Sequence, residues 1–166
     1  ITHVDTTVDP VRDMEVINYE LQIKDLETVE SRLAKTEKAA KAGADKTAKM
    51  QLGVLQAYKE ALEKGLPARS VEIEGKEEQK FARELFLLTN KPVMYVCNVD
   101  DASAVSGNAY VDAVREAIKN EGSQLLVVAA KTESEIAELE TYEERREFLE
   151  EMGLEESGVN RLIRAA

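Results

Sequence analysis

At 166 residues and 18.5 kDa the chain is one ordinary domain, or a small domain carrying an insertion, and 43% hydrophobic content is enough for a core. A formal charge of −11 removes nonspecific attraction to nucleic acid as the default expectation. One cysteine excludes an internal disulfide framework, and no apolar run approaches a membrane span or a signal peptide, so the composition reads as a soluble protein of a reducing compartment.

Ile1 to Val4 is a short strand candidate, and a chain that opens without Met in what reads as mid-strand is expected to be part of something larger. Asp9-Pro10 marks a helix start, with Asp9 as N-cap and Pro10 at the first helical position. Met14, Ile17, Leu21, Ile23, Leu26, Val29 and Leu33 then recur at helical spacing, which predicts one long amphipathic helix to about Lys41. Gly43 breaks it and Asp45 can cap the next helix, whose stripe is Leu52, Leu55, Tyr58 and Leu62 and which ends near Gly65-Leu66-Pro67. Two long helices joined by a few residues predict an antiparallel hairpin with coiled-coil-like packing. Its tip would hold Lys35, Lys38, Lys41, Lys46 and Lys49 against only Glu37 and Asp45. Such a tip is either charged for solubility or built to meet RNA phosphate or a ribosomal partner.

Further on, Arg69 to Ile73 alternates as a short extended piece would, and Lys76 to Leu88 reads as a helix with Phe81, Leu85 and Leu88 on its apolar face. Val93 to Cys97 is a nearly continuous apolar run opened by Pro92, expected to be a strand buried on both faces. Tyr110, Val114 and Ile118 mark another helix, stopping at Glu121-Gly122, and Leu125 to Ala130 a second buried strand. The βαβ unit from residue 92 to 130 should be parallel with a right-handed crossover. Ile136, Leu139, Phe148 and Leu149 belong to short acidic helices, and Leu162 and Ile163 to a last piece after Ser157-Gly158. Between Glu133 and Glu156, eleven glutamates face two arginines, a solvated surface without the spacing of a calcium loop.

The chemistry concentrates where the first buried strand ends. Asn98-Val99-Asp100-Asp101 places N-x-x-D at a strand's carboxyl end, the usual address of a ligand in an open α/β sheet. An Asn offers donor and acceptor to a purine edge, and a carboxylate can accept paired hydrogen bonds from guanine. The next strand ends in Ala129-Ala130-Lys131, where small residues admit a base and a lysine stem can lie along its face. From the residues alone, two ordinary turns with Asn and Asp in them remain the competing reading. His3 has no second His or Cys with which to hold a metal, and Cys97 reads as a small core residue rather than a redox switch.

The chain as a whole resembles the YchF type of protein, the Obg-like ATPase branch of the P-loop NTPases related to translation factors. The stretches that carry this are I-T-H-V with V-D-P and D-M-E-V-I-N-Y-E-L (1–21), L-L-T-N-K-P-V-M-Y-V-C-N-V (87–99), E-S-E-I-A-E-L (133–139) and F-L-E-E-M-G-L-E-E-S-G-V-N-R-L-I-R-A (148–165). The resemblance implies the C-terminal half of a P-loop G-domain in the α/β class, interrupted by an α-helical coiled-coil hairpin. Residues 1–8 would be a strand of the nucleotide domain, 9–69 the hairpin, and 70–166 the second half with its base-recognition loops. It implies Asn98 and Val99 as base contacts, Asp101 provisionally, and Ala129, Ala130 and Lys131 as the second base loop. Family members usually carry N-x-x-E, which accompanies a preference for ATP, where GTPases carry N-K-x-D. Val99 follows the family, whereas Asp101 is the shorter, GTPase-like carboxylate.

The ligand implied is therefore ATP or GTP, with Mg²⁺ held only in the full-length parent. No G-x-x-x-x-G-K-[ST] occurs in these residues and no D-x-x-G follows a strand, so this polypeptide by itself is expected not to hydrolyse nucleotide. The expected parent is a cytoplasmic, ribosome-associated NTPase without membrane attachment. The alternative is that the hairpin is the functional unit, a module binding RNA or protein, with the nucleotide domain as its regulatory platform.

Overall fold

A computed structural model describes residues 7–42 and 46–165. The Ile1–Val4 strand, His3 and the Gly43–Asp45 break lie outside them. Arg12–Pro92 forms one compact unit, and the chain from Val93 onward forms the body of a second.

In the first unit, α1 (Pro10–Ala42) starts at the predicted proline, and α2 (Lys46–Glu63) follows. Leu55 and Val29 are completely buried, and with Val54, Tyr58 and Leu62 they form one cluster closed by Leu26, Leu33 and Met50. Each such aliphatic side chain contributes about 1.5–3 kcal/mol by leaving water. Outside the cluster Lys59 Nζ meets Glu30 Oε1 at 2.8 Å, which lays the middle of α1 beside α2. This half-exposed pair adds little to stability.

The connection to the second unit departs from expectation twice. The piece expected to be extended from Arg69 to Ile73 starts inside a 3-10 turn, Ala68–Ser70, where Ala68 is fully buried and donates its N–H to Thr89 Oγ1 at 2.8 Å, and the backbone is extended at Val71. The helix expected to Leu88 ends early, as α3 (Lys76–Glu84). Phe86 takes φ of +52°, a left-handed conformation costly for a residue with a Cβ, and the chain turns there. Leu87 rather than Leu88 then enters the core beside Phe81 and Leu85. Residues 70–92, assigned from sequence to the nucleotide domain, thus pack on the two long helices.

A buried carboxylate secures this corner. Asp25, only 2% exposed, accepts the Leu88 and Thr89 N–H groups and the Thr89 hydroxyl, each at 2.7 Å. One α1 side chain therefore satisfies three donors of a connection more than sixty residues away, as buried polar groups require.

In the second unit β1 (Met94–Asn98) and β2 (Gln124–Val128) pair in parallel, in a register that sets Met94 opposite Gln124 and Asn98 opposite Val128. The parallel pairing is as predicted, but burial of β1 on both faces is not: Val96 is 49% exposed. An apolar run signals what a strand can bury, while only the layers stacked on it decide what it does bury. β2 also stops two residues short of its predicted end, because Ala130 already opens a helix.

Between the strands α4 (Ala109–Ile118) is capped by Asn108, whose Oδ1 accepts the Tyr110 and Val111 N–H groups at 3.0 and 3.1 Å. That start sets the buried stripe as Val111, Val114 and Ile118, so Tyr110, expected on it, is exposed. Three helices follow: α5 (Ala130–Glu138), α6 (Tyr142–Glu151) with a Thr141/Glu144 capping box, and α7 (Gly158–Ala165). Glu133 Oε1 accepts the Gly158 N–H at 2.6 Å, and Arg161 donates to the Val127 carbonyl at 2.6 Å, which seats α7 on β2. A Cβ on Gly158 would lie 2.7 Å from Val128 Cγ1 and 2.8 Å from Glu133 Oε1, so the close approach needs glycine. Among the described residues no helix is long and apolar enough to cross a membrane.

Candidate functional site

Because Asn98 and Val128 stand opposite each other, the two strands release their following loops at one level. Val99 N–H donates to the Val128 carbonyl at 2.8 Å and carries the ladder one residue past β1. Beyond it, Asn98 Oδ1 accepts the Ala130 N–H at 3.0 Å. A backbone N–H can only donate, so the amide oxygen must face Ala130 and the NH₂ group must face away from it. Asn98 is exposed, and its two NH₂ donors take no part in the contact with Ala130.

The two aspartates that follow divide their labour. Asp100 Oδ1 accepts the Ser103 N–H at 2.8 Å and caps the short 3-10 turn Asp101–Ser103, a local structural role. Asp101 instead reaches across to the second loop. Its Oδ1 accepts the Thr132 hydroxyl at 2.7 Å, and its Oδ2 meets Lys131 Nζ at 3.0 Å. The Thr132 hydroxyl first, and the Lys131 ammonium second, hold the Asp101 carboxyl below the usual carboxylate range. Asp101, with Glu135 at 3.5 Å, raises Lys131 in turn. A depressed carboxyl keeps its charge through neutral pH, and the contact is lost only as pH falls through that lowered value.

Of the sequence-predicted residues, the structure brings together Asn98, Val99, Asp101, Ala130 and Lys131. Ala129, next to them in the second loop, is buried at 3% exposure. Thr132 was missed, although it is 1% exposed and ties Asp101 to α5. The available signal was a hydroxyl in the helix's first turn, directly after A-A-K, where an interior β-branched residue is otherwise unremarkable. Cys97 lies just below the site, and burial pushes its thiol up, which favours the inert, protonated form.

Other features are separate from these loops. A cavity of about 910 Å³ opens among α5, α6 and α7, but its arginines are already engaged. Arg145 donates to the Leu139 carbonyl at 3.0 and 2.7 Å, and Arg146 to Glu150 at 2.8 Å. Among the described residues no group of His, Cys, Asp and Glu side chains could hold a metal ion. In the first unit Lys35, Lys38, Lys41, Lys46 and Lys49 are all exposed.

Comparison with known proteins gives a consistent set of neighbours. No protein-family model matches the chain. The ribosome-binding ATPase YchF of Bacillus subtilis is 49% identical over 168 residues, which cover 100% of this chain and 45% of that protein. Obg-like ATPase 1 of Caenorhabditis elegans is 32% identical over 156 residues, 93% of this chain and 39% of its own length. Among solved structures, the YchF GTPase of Schizosaccharomyces pombe superposes with a TM-score of 0.84 at 28% identity, covering 98% of this chain and 44% of that one. The chain therefore spans less than half the length of the relatives it matches. Two of these relatives are named for ATP and one for GTP.

Proposed function

We propose, from the premise that this chain belongs to the YchF and Obg-like ATPase family along its whole length, that it supplies the purine-reading loops and a helical hairpin to a ribosome-associated NTPase. The observation that carries this reading is the Asn98–Ala130 hydrogen bond at 3.0 Å. It ties one loop to the other through the amide oxygen and leaves the NH₂ group of an exposed Asn98 available as a donor to a flat heteroaromatic edge. In this reading Asn98 and Val99 border the base from the first loop. Ala129 and Ala130 let the base approach the backbone, and the Lys131 stem covers its face. The ligand is ATP or GTP. The phosphates and Mg²⁺ are held by other segments of the whole polypeptide, since these residues contain no phosphate loop. Ribosome association places that polypeptide in the cytoplasm.

The direct test is titration of the whole polypeptide with ATP while the backbone amide resonances are followed. Shifts concentrated at Val99, Ala130 and Lys131 are expected. Saturable binding that leaves those three amides unmoved would place the nucleotide elsewhere and end this reading.

A specific observation also favours a role for the hairpin. α1 and α2 share the Val29–Leu55 cluster and leave five lysines exposed toward their connection. In this proposal they form an antiparallel coiled-coil insertion whose tip meets ribosomal RNA. Replacing Lys38, Lys41 and Lys46 by Glu should lower ribosome co-sedimentation and flatten its dependence on salt, because fewer counterions are released from phosphate. Unchanged co-sedimentation across a salt series would remove the lysines from the contact.

A further inference from the structure

The Asp101 carboxylate stands where a guanine-reading acid would stand, yet its surroundings do not suit that task. To read guanine it must present both oxygens side by side, one to N1–H and one to the N2 amino group. Oδ1 is turned instead to the hydroxyl of Thr132, a residue 1% exposed, so that oxygen faces the protein interior. Oδ2 alone faces outward, and it already meets Lys131 Nζ at 3.0 Å. With the lysine on one of its two lone pairs, that oxygen has a single one left to accept a hydrogen bond from a ligand. The adenine N6 amino group and either guanine donor supply one equally well.

We infer that Thr132 is a specificity-determining residue of this site: by holding Oδ1 of Asp101 inward it leaves the carboxylate monodentate and removes the preference for guanine that an aspartate here would otherwise confer. The inference rests on the purine-binding reading proposed above. Thr132 need not touch the base, for it acts through the orientation of Asp101. Lys131 belongs to the same arrangement, since its ammonium meets the outward oxygen while the side chain as a whole stays 74% exposed. Freed from the hydroxyl, the Asp101 side chain can turn about its last bond and offer both oxygens.

The experiment is equilibrium binding of fluorescent ATP and GTP analogues to the whole polypeptide, read as the ratio of the two dissociation constants. Wild type should bind both within about threefold, because one acceptor discriminates poorly. Thr132→Val keeps the shape and removes the hydroxyl, and it should move the ratio about tenfold toward GTP, the worth of one added charge-assisted bond. Thr132→Ser restores the hydroxyl and should restore the wild-type ratio, which separates the hydrogen bond from the packing. Adding Asp101→Ala to Thr132→Val should abolish the gained preference. A wild type that already prefers GTP more than tenfold, or Val and Ser variants that shift alike, would overturn the assignment while leaving purine binding intact. Failure of both nucleotides to bind would instead overturn the purine reading, and this inference with it.

Discussion

Asp25→Ala should destabilise the unit Arg12–Pro92 by about 3–5 kcal/mol, because each buried donor left without its acceptor costs about 1–3 kcal/mol. The change orphans the Leu88 and Thr89 N–H groups and the Thr89 hydroxyl. The loss also propagates. Thr89 Oγ1 is itself the acceptor for the Ala68 N–H, so its reorientation loosens the 3-10 turn at Ala68–Ser70. Part of the cost is offset because Asp25 no longer has to be desolvated, which keeps the figure below a simple sum of three bonds. Asn at this position retains one acceptor oxygen but turns an NH₂ group toward donors, so Asp25→Asn should fall between wild type and Ala. Urea denaturation gives the free energies, and hydrogen exchange at the Leu88 and Thr89 amides locates them. An Ala variant within about 1 kcal/mol of wild type would show that apolar packing alone holds this corner.

That carboxylate also shows why some of the fold could be read from sequence and some could not. Periodicity found both long helices, and Pro10 marked the start of the first, because each signal is local. Asp25 left a different trace. It lies in line with Leu21, Val29 and Leu33 at four-residue intervals, the one charged residue on an apolar stripe. A polar residue there must find partners, but nothing in α1 names Leu88 and Thr89 as those partners. The early end of α3 is a similar case. Phe86, Leu87 and Leu88 are all apolar, so a helix through them reads as continuous; the turn at Phe86 goes with two distant contacts, Leu87 in the core and Asp25 on the following amides.

The candidate site divides along the same line. Parallel pairing followed from two short apolar runs separated by a helix, and it alone brings Asn98 and Lys131 to one end of the sheet. The orientation of Asn98 and the engagement of Asp101 did not follow, because a residue type states which bonds a side chain can make and not which it does make. An aspartate in N-x-x-D looked like a reader of guanine; in the structure its oxygens are turned to Thr132 and Lys131.

The second large effect is expected at Asn98. Asn98→Ala in the whole polypeptide should weaken purine nucleotide binding by about 1–3 kcal/mol, roughly ten- to a hundredfold in affinity, because it removes donors that no neighbouring side chain replaces. It should cost the fold much less. The Ala130 N–H that loses its acceptor begins an exposed helix turn and can bond to water instead. Asn98→Asp separates the two roles. It keeps an oxygen for Ala130 and so preserves the tie between the loops, but it has no donors for a base and adds a negative charge beside it. Equilibrium titration should therefore find the Asp variant at least as damaging as the Ala variant for binding, while urea denaturation finds it no less stable. If Asn98→Asp left nucleotide affinity at the wild-type value, the Asn98 NH₂ group would not touch the ligand, and the loops would be joined for structural reasons only.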